Sequence, residues 1–226
     1  MKTPRREALS RERILRTALA IVDREQLEAI SMRRIGEELG VEAMSLYNHV
    51  ANKAAILDGI FETLLGELPP AKPSRSWQAA LRDRARSLRS TLRTHPHVLP
   101  LFATRPAVTP ASLVYVEAVL GILHNAGFRP AFALNILQVL IAFVVGHTIA
   151  TCSPTESEEG SQPAYDRLSE KTFPRVREAA RLLATHDVEK EFDFGLNALL
   201  SAFERRLVKR SDRKRSSEPR GASIAI

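Results

Sequence analysis

A chain with one cysteine, Cys152, has no second thiol with which to close an internal disulfide. That excludes a disulfide framework, fits a reducing compartment, and makes a cytoplasmic protein the expectation. Glycine is scarce too, at ten residues in 226, and no glycine-rich phosphate loop is present. With few β-branched runs as well, a sheet-rich fold is not expected. The six histidines show no metal-ligand spacing such as His-x-x-x-His, and no serine stands in a nucleophile-elbow context. No catalytic residue, metal or cofactor is therefore expected, and the chain does not read as an enzyme. Residues 1–13 are polar, so no secretory signal is expected.

Long apolar runs are also lacking, with one exception. Residues 131–150 approach the length of a bilayer span, but Asn135, Gln138 and His147 interrupt them. With no second span or aromatic belt, the expected place for this segment is a protein core or a dimer seam rather than a membrane.

What is present is helical period, almost everywhere. Ser10 is placed to cap a helix running to Glu25, with Ile14, Ala18, Ile21 and Val22 on its apolar stripe. Ser31 caps a short second helix that stops at Gly40, a residue suited to a left-handed C-terminal position. A third spans Glu42 to His49, and Asn52 caps a fourth that ends before Pro69, Pro70 and Pro73. Longer helices follow: Trp77–Thr94, a proline-punctuated stretch from His95 to Pro110, Ala111–Asn125, Pro130–Thr151, Tyr165–Thr185 and Val188–Arg210. Ser153–Gln162 reads as a mobile loop. The expected fold is all-α. A basic arm (1–9) precedes a three-helix helix-turn-helix head (10–52), a connecting helix and linker (53–73) and a larger helical effector-binding and dimerisation bundle (74–210), with a disordered basic tail (211–226).

The net charge of +7 is concentrated at the chain ends, where it suits either solubility or DNA contact. Between residues 17 and 60, Arg24, Arg33, Arg34 and Lys53 are outnumbered by acidic groups. Bulk positive charge therefore does not explain how a head built from this segment would hold DNA. Placed donors must.

Two short helices joined by a tight turn set the second at a steep angle, free to enter a major groove. Ile35, Leu39, Val41, Leu46 and Val50 supply the inward groups. The outward set on the third helix is Ala43, Met44, Ser45, Tyr47, Asn48 and His49, short or polar and with no acid among them. Glu42 suits the helix N-terminus and could accept from a cytosine amino group. Lys53 opens the next helix as a phosphate site, and Arg33 could reach a guanine edge or a phosphate.

These residues resemble the TetR family of bacterial repressors. The resemblance runs from Arg13 through Leu57 and is carried by Ile14 and Ala18, by Ser-Met-Arg-Arg-Ile-Gly at 31–36, and by Leu39-Gly40-Val41. The pattern Leu-Tyr-x-His-Val-x-x-Lys from Leu46 to Lys53 is its most specific part. It implies a DNA-contacting set of Ser31, Arg33, Glu42, Ala43, Met44, Ser45, Tyr47, Asn48, His49 and Lys53. In it Ser45, Tyr47, His49 and Lys53 anchor phosphates, while Arg33, Ala43, Met44 and Asn48 face bases. Met44 and Asn48 stand where the tetracycline repressor has proline and tryptophan, so a different operator is implied.

The C-terminal part resembles that repressor's effector domain, at Ser76-Trp77-Gln78, Thr104-Arg105-Pro106, Ala126-Gly127-Phe128, Gly146-His147 and Phe194-Gly195-Leu196. It departs where ligand identity is set. Pro69, Arg84 and Leu101 replace polar groups that bind the drug or its magnesium ion, and only Thr104 survives from the ion site. The resemblance thus implies a small-molecule effector other than magnesium–tetracycline.

The expected pocket is lined by Arg84, Leu88, Leu101, Phe102, Thr104, Arg105, Val116, Phe132, Asn135, Gln138 and His147, with Leu68, Leu81 and Leu113 beside them. Arg84 has two readings, an anion partner or a solvated arginine on a basic face with Arg82, Arg86 and Arg89. His147 is either a pocket hydrogen-bonder or a core histidine. Val188, Phe192, Leu196, Leu199, Leu200, Phe203 and Leu207 form a stripe which, with residues 132–149, suggests a four-helix seam in a homodimer. The partners implied are double-stranded operator DNA, a small molecule and a second copy. An activator of the same fold and a nonspecific nucleoid-like DNA binder are the alternatives.

Overall fold

The computed structural model describes residues 8–70, 74–152, 165, 168–183 and 186–216; side chains are not described at 183 and 208–216. Residues 1–7 of the basic arm, Pro73, the Ser153–Gln162 loop and 217–226 of the tail lie outside the described residues. Among the described residues the fold is all-helical, with ten α-helices and two short 3-10 turns.

Helices α1 (Arg11–Glu25), α2 (Met32–Leu39), α3 (Ala43–Leu46) and α4 (Lys53–Gly66) begin where short polar side chains can satisfy orphan backbone N–H groups. Ser10 Oγ accepts from Arg13 N, Ser31 Oγ from Arg34 N, and Asn52 Oδ1 from Ala55 N. Each such cap contributes about 1 kcal/mol. α2 stops at Gly40, whose φ of 67° is left-handed. Gly36, one turn earlier, is required for a different reason. A Cβ there would stand 2.9 Å from the Val41 carbonyl oxygen and 3.2 Å from Ala43 N, so α2 and α3 can pack this closely only over a glycine. The recognition segment is also shorter than expected: α3 ends at Leu46, and residues 47–49 form a turn.

α4 packs on α1 through a core that includes Ile14, Ala18, Ile56 and Ile60, and it continues to meet the body. The body comprises α5 (Trp77–Thr94), α6 (Leu99–Thr104), α7 (Pro110–Asn125), α8 (Pro130–Cys152), α9 (Pro174–Leu183) and α10 (Val188–Ser216). α8 is its axis, packing against α5, α6, α7 and α10. Ala133, Ile136, Leu137, Leu140 and Val144 form its buried stripe. It is the one described helix long and apolar enough to cross a membrane, and its buried stripe faces other helices of the chain.

Three spans differ from expectation, and proline accounts for two of them. The stretch from His95 to Pro110 holds a 3-10 turn (Pro96–Val98) and α6, with Pro96 and Pro100 in their first turns, where no N–H is needed. α9 starts at Pro174 rather than near Tyr165, because proline supplies no N–H to a helix arriving from upstream. α10 continues beyond Arg210 to Ser216, where a disordered tail was expected.

Head and body meet at a second junction. His95 Nδ1 lies 2.9 Å from an Asp23 carboxylate oxygen at the end of α1, and its Nε2 lies 3.3 Å from Glu67 after α4. His97 Nδ1 is 3.1 Å from the carbonyl oxygens of Val22 and Asp23, which can only accept.

Candidate DNA interface and effector cavity

On the head, Leu46 and Val50 are buried and clamp α3 against the core. The rest of the segment turns outward. Met44 is 72% exposed and Tyr47 48%, and Glu42, Asn48, His49 and Lys53 are exposed with them, while Ala43 and Ser45 are half-buried. A methionine so far from any core has no packing role there. Lys53 opens α4, where the helix dipole favours an anion.

The head arginines are largely engaged with acids of the head and of α4. Arg34 pairs with Glu25 at 2.6 Å and Glu38 at 2.8 Å, and Arg24 also holds Glu38. The Arg34 guanidinium keeps both carboxyls below the usual carboxylate range. This network ties α1 to α2 and braces the recognition segment. Among the described residues Arg33 pairs only with Glu37, at 2.9 Å on the surface, a contact weak enough to exchange for another partner. Ser31 Oγ is occupied in capping α2 at 3.1 Å from Arg34 N.

In the body, a cleft of about 700 Å³ opens among Pro69, Trp77, Ala80, Asp83, Arg84, Ile122 and neighbouring residues. A small apolar cavity between α5, α7 and α8 adjoins it, lined by Leu81, Arg84, Leu88, Tyr115, Val119, Leu137 and others. Arg84 lines both. Of the expected pocket residues, the structure brings Arg84, Leu88 and Leu81 to these spaces.

The others stand elsewhere. Asn135, Gln138, Thr104 and Leu113 are exposed, Val116 is half-buried, and Leu68, Leu101 and Phe102 are core residues outside both cavities. Phe132 packs between Phe128, tilted, and Phe203, edge-on. Arg105 ion-pairs with Asp58 of α4, which ties the end of α6 to the connecting helix.

His147 is packed between Phe143 and Phe192 with its side chain 8% exposed. Neither ring nitrogen has a hydrogen-bond partner among the described residues. Burial, then the nearby Arg89 cation, lowers its pKa.

The reading of Arg84 as one of a solvated basic row needs correction. Arg82 bonds Asn197, Arg86 pairs with Asp193, and Arg89 and Arg93 pair with Glu189, so these four face α10. Arg84 turns away from them and lies over the Tyr115 ring at 5.3 Å. The spacing 82, 86, 89, 93 is one helical face, and Arg84 falls off it. That signal was in the sequence; Tyr115 and Trp77 as cleft-forming residues carried none.

The apolar stripe on α10 is divided, with Val188, Leu199, Phe203 and Leu207 half-buried. Phe192, Leu196 and Leu200 are buried against the chain's own body. Gly195 lets the Phe143 ring approach, since a Cβ there would meet ring carbons at 2.7 Å. On α10 and α8 the large apolar side chains left exposed include Phe194, at 77%, with Leu134, Val139 and Ile149.

A family model described as the tetracyclin repressor-like C-terminal domain matches residues 69–207. The chain is 30% identical over 203 residues to the class E tetracycline repressor protein of Escherichia coli, covering 88% of this chain and 92% of that one. It is 27% identical over 209 residues to the HTH-type transcriptional repressor DrrR1 of Streptomyces coeruleorubidus, covering 87% and 77%. Among solved structures, the TetR family protein ActR of Streptomyces coelicolor in complex with (S)-DNPA superposes with a TM-score of 0.77 at 27% identity, covering 88% of this chain and 98% of that one.

Proposed function

Because the chain belongs to the TetR family of transcriptional regulators, we propose that it is a cytoplasmic repressor that binds a palindromic operator as a homodimer and is released by a small molecule other than magnesium–tetracycline. As a member of that family it is a ligand-responsive, DNA-binding regulator and not an enzyme.

The observation that carries the proposal is the outward surface of the α3 segment. Met44, Tyr47, Asn48 and His49 project from a turn whose buried face is fixed by Leu46 and Val50. In this reading Tyr47, His49, Ser45 and Lys53 hold phosphates, while Arg33, Ala43, Met44 and Asn48 meet base edges. Ser31 braces α2, and Glu42 stands at the mouth of α3. Phe194 and the exposed apolar residues of α8 are the face offered to a second copy.

The effector reading rests on the cleft at Arg84 and on its route to the head. α4 packs on α1 in the head and, through Asp58, holds Arg105 at the end of α6. A ligand seated in the cleft bears on Pro69, just after α4, whose carbonyl accepts from Arg84, and in this reading shifts α4 and with it the heads. The E. coli relative carries tetracycline in its name, and ActR was solved with (S)-DNPA; both support a ligand-binding body. Against magnesium–tetracycline stands Leu101, buried and without an oxygen ligand.

The test is binding to DNA from upstream of the chain's own gene against a scrambled duplex. A repressor separates the two by about 4–10 kcal/mol. Equal binding would indicate a nonspecific DNA binder and end the proposal.

A further inference from the structure

Among the arginines of α5, Arg84 is distinguished by what it lacks. None of the ion pairs among the described residues includes it, whereas Arg86, Arg89 and Arg93 each hold a carboxylate on α10. Its polar contact is a long one, Nη1 donating to the Pro69 carbonyl at 3.4 Å. Its Nε is buried with no hydrogen-bond partner. Tyr115, over which it lies, offers a ring face but no negative charge, since burial pushes that hydroxyl up to about 12. A buried Nε–H without an acceptor is costly, and a cation without an acid beside it is open to an anionic partner.

The surroundings indicate what that partner is. Arg84 stands where the cleft of about 700 Å³ meets the apolar cavity, a volume suited to a ligand of two or three rings. Trp77 and Ile122 give the cleft flat and apolar wall, and Asp83 is the one carboxylate on it against Arg75, Arg84 and Arg86, the last already paired with Asp193. A cationic ligand would need an acid at the inner end, where Arg84 stands instead.

We propose that Arg84 is the anion anchor of the effector site and that the effector is an aromatic acid, its carboxylate on the guanidinium edge and its rings against Trp77 and Ile122. The assignment rests on the repressor reading given above and adds the ligand's chemical class to it. Guanidinium and carboxylate meet in a planar, charge-assisted pair, which gives Arg84 the acid partner it lacks and neutralises the cation at once. Discrimination then falls on charge, because an amide of the same shape brings no negative oxygen.

The experiment uses the full chain with two probes of equal shape, 9-anthracenecarboxylate and 9-anthracenecarboxamide, followed by ligand fluorescence. The carboxylate should bind saturably and at least tenfold more tightly than the amide. Arg84→Met, which keeps an apolar stem, should remove that preference, and Arg84→Lys should restore part of it. The assignment is overturned if the carboxylate shows no saturable binding, if both probes bind the unmodified chain equally, or if Arg84→Met retains the preference. Release of bound DNA by the same probes separates this proposal from its premise. Equal release by amide and carboxylate would leave ligand control intact and remove the anion anchor. Arg84-dependent binding of the carboxylate without release would leave the anchor intact and remove ligand control at this site.

Discussion

At Gly36 one hydrogen atom in place of a methyl group decides whether the head can form. The α2 helix passes so near the α2–α3 turn that a Cβ would stand 2.9 Å from backbone oxygen, an atom that cannot swing aside. Gly36→Ala should therefore destabilise the head by about 1–3 kcal/mol and weaken DNA binding, seen in thermal melting and DNA titration; an unchanged variant would show that α2 and α3 are packed differently. Two exposed residues separate holding from reading. Lys53→Ala should weaken every DNA sequence alike and flatten the salt dependence by about one unit. Asn48→Ala should instead relax preference at one base position, and an equal loss on all sequences would move Asn48 to the phosphate class.

Among the elements, the helix caps at Ser10, Ser31 and Asn52 were legible because a short polar side chain followed by apolar period has one common use. The 3-10 turn and α6 were not, because Pro96 and Pro100 read as breakers until the structure shows them at helix starts. The cleft was only partly legible for a related reason. Periodicity marks which residues on a helix are buried but not which neighbour covers them, so Asn135, Gln138 and His147 were grouped with Arg84 although α8 presents them elsewhere.

His147 gives the α8–α10 packing a pH signature. Its folded pKa is depressed by burial. Above about pH 6.5, the ordinary histidine value, the ring is neutral both folded and unfolded and has no pH effect. Below it the unfolded chain takes up a proton that the buried ring resists, so stability falls as pH falls, until the folded pKa is passed. His147→Leu should reduce that slope in denaturant melts between about pH 6.5 and 5; an unchanged slope would mean that the ring is not buried neutral. The Arg105–Asp58 contact gives α6 and α4 a shared signature. Arg105→Ala should leave effector-probe binding nearly unchanged but blunt the release of DNA, and full release would place the coupling elsewhere.

For the whole molecule, the acid-rich head and the exposed Phe194 lead to one conclusion about scale. A single head holds too few placed cations to bind tightly through bulk charge, and its donors act in a small patch, so the proposed repressor doubles its recognition with a second copy. A dimer sets two recognition segments about 34–36 Å apart, one helical turn of DNA, and that spacing is written into whatever sequence it prefers. The most direct test is selection of duplexes from a random pool by the full chain. An inverted repeat with half-site centres about 10 base pairs apart, or a multiple of that, is the predicted result. Enrichment of a lone half-site, a direct repeat or no sequence at all would contradict a symmetric dimer reading DNA through α3.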